Sequence, residues 1–377
     1  MKIKEFISLC QQDASVQLLK ARLTEKHTAF QLKGLAGSQD AAVASALYGM
    51  KPGPNLFIMN DREEAAYFYN DLQSLLEEDN PHLFPGSYKK PYTYEEIENA
   101  NVLQRAEVLS IIGALKAGGA FAVVTWPEAL VEKVINRRSL RENTFGASVG
   151  DKLDLNFISE VLNSYDFDRV EFVTEPGQFS IRGGIVDIWS YSGDLPFRME
   201  LFGNDVESIR TFNPETQLSV EQRKSLSIVP DVQTRLYQEK RESFADFLPE
   251  GTLIWVKDLN LCGEVLDKAF DRAEAEFSKI KAITGGTVSD PAEIFDDYLA
   301  FQKSLLRHKV LEFGLHFLDF KKSKKEPPVE ITFTGRAQVN FNKDFNMVAE
   351  ALNGLHDRHY TTIISSESDK IIKQKST

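Results

Sequence analysis

Residues 170–219 read VEFVTEPGQFSIRGGIVDIWSYSGDLPFRMELFGNDVESIRTFNPETQLS, and this stretch limits the possible folds more than any other. Four runs, 178–182, 185–189, 197–202 and 206–212, are rich in β-branched and aromatic residues, and each is bounded by turn residues. Gly183 and Gly184 separate the first two, as a bulge or a close backbone approach requires. Ser192-Gly193-Asp194 and Gly203-Asn204-Asp205 are turn sequences. A small antiparallel sheet follows. Side chains alternate across a strand, so Phe197, Met199 and Leu201 share one face, and Arg198, Glu200 and Phe202 share the other. One face feeds a core. The other sets alternating charge around an exposed aromatic, which suits recognition of a protein surface better than catalysis.

The flanking sequence has a different rhythm. Residues 3–32 carry helical periodicity, and 27–35 is a strand running into a loop and an Ala-rich helix after Ser38. Short apolar runs at 55–59, 82–84 and 120–125 alternate with helical segments ending near Leu76 and Lys116. Residues 127–137 read as helical. After Pro230 the alternation resumes, with strands at 253–256, 331–333 and 361–365 and helices at 260–282 and 291–306. Strands alternating with helices indicate a parallel α/β sheet. The expected architecture is one α/β domain, residues 1–126 and 214–377, interrupted by an inserted α+β domain at 127–213. The chain ends in what reads as the start of a helix, as a piece of a longer polypeptide would.

GQFSIRGGIVDIW followed by PFRMELFGNDVESIRTFNPETQ resembles the inserted domain of the UvrB-like module, which the excision-repair subunit UvrB shares with transcription-repair coupling factors. The glycine pair, the R-x-E-x-F strand and the E-x-I-R-x-F strand carry the resemblance. It implies a RecA-like, P-loop-type α/β domain with an inserted domain that binds the repair protein UvrA. It further implies a non-catalytic adaptor that brings UvrA to stalled RNA polymerase. RNA polymerase and DNA contacts, ATP and magnesium would belong to motor domains elsewhere in an ATP-dependent translocase, with which the module would also make intramolecular contacts. The partner-facing charges fall on Arg169, Arg182, Arg198 and Glu200, and one further family arginine falls on Ser180. Face alternation and aromatic character add Phe179, Phe202 and Arg210. Two other uses stay open: an autoinhibitory clamp on the motor domains, and a binder of damaged DNA.

UvrB-like proteins carry a phosphate loop, G-x-x-G-S-G-K-T, between the first strand and its helix. Here Gly34, Gly37 and Ser38 match it, whereas Gln39, Asp40 and Ala41 replace the third glycine, the lysine and the hydroxyl residue. Ala41 has no oxygen for magnesium. Asp40 puts a carboxylate beside the terminal phosphates, and two like charges about 4 Å apart cost on the order of 4 kcal/mol at an effective dielectric of 20. No Asp-Glu dipeptide occurs, so there is no DExx box. The expectation is a degenerate nucleotide loop with no cofactor in this chain.

Composition limits the rest. Lys plus Arg is 44 and Asp plus Glu is 56, a net charge of −12, which is poor material for non-specific duplex binding. Cys10 and Cys262 form no CxxC pattern and read as reduced thiols of a cytoplasmic protein. No signal peptide or membrane-length apolar run is present, so no membrane partner is expected. His356 and His359 read as an exposed helix end rather than a metal pair, and the lysines of 321–325 as a solvated loop. Tyr88, Tyr92 and Tyr94 read as packing over the α/β core, in a connection with no room for the long aromatic hairpin that UvrB projects there.

Overall fold

The computed structural model describes residues 2–26, 28–76, 81–87, 92, 99–116, 118–231, 240–284, 289–317, 327–336, 341–342 and 344–362. In chain order the first part of the body comprises α1 (Ile3–Gln12), α2 (Ala14–Arg22), β1 (Ala29–Lys33), α3 (Gln39–Met50), β2 (Pro54–Ile58), α4 (Arg62–Leu76), β3 (His82–Leu83), α5 (Asn99–Ala114), β4 (Phe121–Thr125) and α6 (Pro127–Leu130). An excursion follows: β5 (Val134–Ile135), α7 (Arg137–Glu142), β6 (Phe145–Ser148), α8 (Leu155–Ser164), β7 (Asp168–Arg169), β8 (Gln178–Arg182), β9 (Ile185–Ile188), β10 (Phe197–Phe202), β11 (Asp205–Phe212), β12 (Ser219–Arg223), β13 (Ser225–Ile228) and β14 (Arg241–Glu242). The body resumes with α9 (Phe244–Phe247), β15 (Leu253–Val256), α10 (Leu259–Thr284), α11 (Pro291–Ile294), α12 (Tyr298–Leu305), β16 (Lys309–Glu312) and β17 (Val329–Thr332). Residues 336–377 form a unit of their own, whose described part holds α13 (Phe345–His356).

The body is a seven-stranded sheet in the order β17-β1-β16-β15-β2-β4-β3, parallel at every pairing. Helices cover both faces, so the central strands are apolar on both sides rather than alternating. Every residue of β4 is buried. One face packs Phe57, Phe68 and Trp255 against α1–α4, and the other packs Ile254, Val256 and Phe301 against α5, α10 and α12. The Trp255 indole donates to Asn55 Oδ1 at 3.0 Å, which satisfies both buried polar groups. Among the described residues, no helix is long and apolar enough to cross a membrane.

The excursion is tied to the body by two ribbons, each pairing outgoing chain with returning chain. β5 pairs antiparallel with β14, and β6 with β13. Residues 127–137 are therefore not one helix. Pro127–Leu130 is helical and Arg137 opens α7, but Val134 and Ile135 between them, both β-branched, pair with the returning strand instead. Beneath the first ribbon, Arg105 is fully buried and donates to the carbonyls of Pro85 at 2.8 Å and Ala129 at 3.0 Å. The Glu132 carboxylate accepts the Ser87 hydroxyl and sits 3.6 Å from Arg105 and 3.8 Å from Arg241.

Beyond the ribbons lies a six-stranded sheet in the order β12-β11-β10-β9-β8-β7. Asp154 caps α8 by accepting from Asn156 and Phe157 amides, and Ile158 and Leu162 of that helix join the sheet's core. This core runs from Phe145 to Ile228, so the antiparallel region does not end at Asn213: β12 and β13 belong to it. Gly183 and Gly184 form the β8–β9 hairpin turn. Gly183 has φ +59°, and a Cβ on Gly184 would stand 2.4 Å from the Leu201 carbonyl oxygen of a bulged neighbouring strand, so both positions require glycine.

Other expectations differ in detail. The helical reading of 291–306 resolves into α11 and α12, broken at Phe295. Tyr92 is buried, its hydroxyl donating to the Ser289 carbonyl at 3.1 Å, whereas Tyr88, Tyr94, the 321–325 lysines and most of 361–365 lie outside the described residues. His356 closes α13 and His359 follows it at φ +61°. Among the described residues no cluster of three or more His, Cys, Asp or Glu is placed to hold a metal.

Candidate partner-binding surface

The outer face of the six-stranded sheet carries the charged side chains of alternate positions. Arg198 pairs across strands with Asp187 on one side and Arg210 on the other, while Glu200 lies opposite Ile185 and Ser208. Asp187 is fully buried and paired: Arg198 forks onto both its oxygens, Nε at 2.6 Å and Nη2 at 2.8 Å. Arg182 Nη2 reaches the same carboxylate at 2.5 Å. Arg198 also donates to the Gln217 side-chain oxygen at 3.0 Å and lies over the Phe212 ring at 4.3 Å. Its bond to Asp187 pushes the guanidinium above its ordinary value. Arg198 is thus largely covered, 13% exposed, rather than a free charge on a solvent face.

Glu200 accepts from Arg210 at 2.5 Å and Ser208 at 2.8 Å, and these bonds hold its carboxyl below the usual range. Arg210 therefore pairs across the sheet with Glu200, not along its own strand with Glu207. Arg182 donates to the Glu171 carbonyl at 2.5 Å and stacks on Phe172 at 4.9 Å. Ser180, at the position of a family arginine, is 2% exposed and donates to that same carbonyl at 2.9 Å.

Phe179 is a correction. It is 0% exposed and packs in the sheet's core, because alternation along β8 sets it on the face opposite Arg182. Phe202 is as expected an exposed aromatic, at 75%. Arg169 is exposed on the edge strand β7. Three residues not singled out in the sequence complete the surface: Asp187, Phe172 at 53% exposure, and Gln217, whose φ of +59° turns its side chain under Arg198. What remains available on this face is a stretch from Phe172 past Arg182 to Phe202, aromatic at both ends, while Arg169, level with core-facing Phe179, is exposed at the adjoining edge of the sheet.

The loop at 34–41 lies at the C-terminal end of β1 and runs into α3. Gly34 has φ +81°, and a Cβ there would meet the Phe333 carbonyl oxygen at 2.1 Å. The Gln39 side-chain oxygen accepts the Ala36 amide at 3.0 Å and lies against Gly335. Asp40 is 6% exposed and paired with Lys257, which follows β15, while its other oxygen accepts the Ala41 amide at 2.7 Å. The carboxylate is therefore paired from the end of β15, two strands away from β1, so Asp40 is not the unpaired charge the sequence suggests, and the Gln39 amide group lies within the turn of the loop.

Residues 146–233 match the family described as the UvrB interaction domain. The chain is 31% identical over 229 residues to the transcription-repair-coupling factor of Bacillus subtilis (strain 168), covering 60% of this chain and 19% of that protein. It is 30% identical over 216 residues to the transcription-repair-coupling factor of Myxococcus xanthus, covering 55% and 18%. It is also 22% identical over 238 residues to the UvrABC system protein B of Thermosipho africanus (strain TCF52B), covering 61% and 36%. The chain thus spans between 18% and 36% of the length of these relatives.

Proposed function

From a UvrB-like module of the kind that transcription-repair coupling factors carry, we propose that this chain works as an adaptor that binds UvrA through the outer face of its inserted sheet. The observation that carries the reading is the exposed stretch of Phe172, Arg182 and Phe202, with Arg169 exposed on the adjoining edge strand, inside the residues matched to the UvrB interaction domain. In the longer protein the adaptor would bring UvrA to stalled RNA polymerase, while ATP, magnesium, DNA and polymerase engage other domains. The filled loop at Gln39 and Asp40 supports a non-catalytic role for this part.

Exposed positions test the surface without disturbing the fold. Arg169→Glu and Phe202→Ala should each change stability by no more than about 0.5 kcal/mol. A charge reversal against a complementary surface costs several kcal/mol across an interface, so Arg169→Glu should abolish capture of purified UvrA in a pull-down, and Phe202→Ala should weaken it. UvrB titrated into the wild-type complex should displace the chain. Wild-type binding by both folded variants rejects this face as the docking surface. A steep salt-dependent affinity for duplex DNA in its place would make the module a DNA binder.

A further inference from the structure

Asp187 lies mid-sheet on β9, opposite Ser180 of β8 and Arg198 of β10. Its neighbours Val186 and Ile188 point into the core, so alternation sends its carboxylate to the outer face. There it is 0% exposed, and its cover consists of arginine side chains. A carboxylate withdrawn from water this far is tolerated only when paired and hydrogen-bonded. Here the pairing does more than satisfy the acid. Arg198 is fixed at three sides, by Asp187, by Gln217 and by the Phe212 ring. Arg182 is fixed by Asp187, by the Glu171 carbonyl and by the Phe172 ring. Two guanidinium groups over one carboxylate leave a single net positive charge. A guanidinium carries five N–H donors, so Arg182, giving one bond to Asp187 and one to Glu171, has donors left to offer.

A long, mobile side chain must be ordered when a partner docks, and that ordering weakens binding. Folding has already ordered these two. Resting on the reading of this face as the docking surface, we propose that Asp187 is a positioning residue: it holds Arg182, with Arg198 clamped behind it as the second cation, as a preformed receptor for one carboxylate of the partner, flanked by apolar surface that meets Phe172 and Phe202. Glu200 does not compete with that carboxylate for the pair, because Arg210 and Ser208 hold it.

Asp187→Asn keeps the shape of the side chain and removes its charge. In nitrogen–proton spectra of the free protein, the Arg198 Nε–H signal should be sharp and slowly exchanging in the wild type and lost in the variant. Calorimetric titration with UvrA should give binding roughly ten- to a hundredfold weaker, the consequence of two side chains that must now be ordered on docking. In an Arg182→Ala/Arg198→Ala background the same substitution should change affinity no further. An additive loss there shows a general loosening of the sheet and overturns the proposal, as does wild-type affinity in a folded Asp187→Asn. Should Asp187→Asn fail to fold, Arg198→Gln and Asp187→Asn/Arg198→Gln carry the test, since the second replaces a charged pair by a neutral one. The double variant should bind UvrA about tenfold more weakly than the single, because Arg182 has lost its anchor, and equal affinities overturn the proposal. If the wild type does not bind UvrA at all, it is the reading of the face that fails, and the Arg198 signal still decides whether Asp187 orders the arginines.

Discussion

At the scale of single residues, Arg198 separates a surface reading from a structural one. A charge reversal on a solvent face changes stability by about 0.5 kcal/mol at most. Arg198→Glu instead sets a second carboxylate against buried Asp187 and leaves Arg182 as the one cation facing the two. Breaking a buried pair costs roughly 3–5 kcal/mol, so urea unfolding of Arg198→Glu should show a loss of that order, whereas Arg169→Glu should leave the midpoint in place. Equal midpoints would show that the fork onto Asp187 carries no stability. The sequence makes the alternation of Phe197–Phe202 plain, since period two is visible in six consecutive residues. It also holds the signal that removes Phe179 from the surface: one strand cannot send Phe179 and Arg182, three apart, to the same side. The partner of Arg198 was not legible, because it depends on the register between β9 and β10, and a slip of one residue would have set Ile188 or Val186 there.

At the scale of elements, the excursion closes on itself only when the returning strands are included. The core from Phe145 to Ile228 takes Leu226 and Ile228 from β13, and β12 covers the edge of β11. A fragment of residues 145–231 keeps these, together with the Ser190 hydroxyl that accepts the Val229 amide at 2.9 Å. It should unfold cooperatively in a thermal melt followed by circular dichroism. A fragment of residues 127–213 loses both strands. Burial of Leu226 and Ile228 contributes about 1.5–3 kcal/mol each, a large share of the stability of a domain this small, so that fragment should show no cooperative transition. A sharp melt for 127–213 would place β12 and β13 outside the folding unit. The boundary was hard to read because β12 is exposed at all five positions and looks like a loop, while β13 is four residues long. β16 escaped notice for a related reason: Lys309 opens it and Glu312, buried against Gln31, closes it, so little apolar pattern remains.

For the whole molecule, the parallel sheet was legible from its apolar strands, and the insertion from the change of rhythm near Pro127. The fate of the loop at 34–41 was only half legible, because Lys257 is far from Asp40 in sequence and reaches it through the order of the strands. Calorimetry of ATP with magnesium should give no saturable heat, and a micromolar Kd would overturn the reading of a non-catalytic module. Replacing Gln39→Gly, Asp40→Lys and Ala41→Thr together should not restore binding either. It sets a lysine against Lys257 in a half-buried site, at a cost on the order of 3–5 kcal/mol, and Lys257→Ala should recover part of that loss. The occupant of the loop is a side chain three residues from the amide it binds. Its local concentration is set by the chain and by nothing the cell makes or consumes. On the non-catalytic reading proposed above, a loop held in this way would not register the ratio of ATP to ADP. The proposed docking face would then be offered alike in a starved cell and a growing one, and the timing of its use would be left to whatever covers or uncovers it.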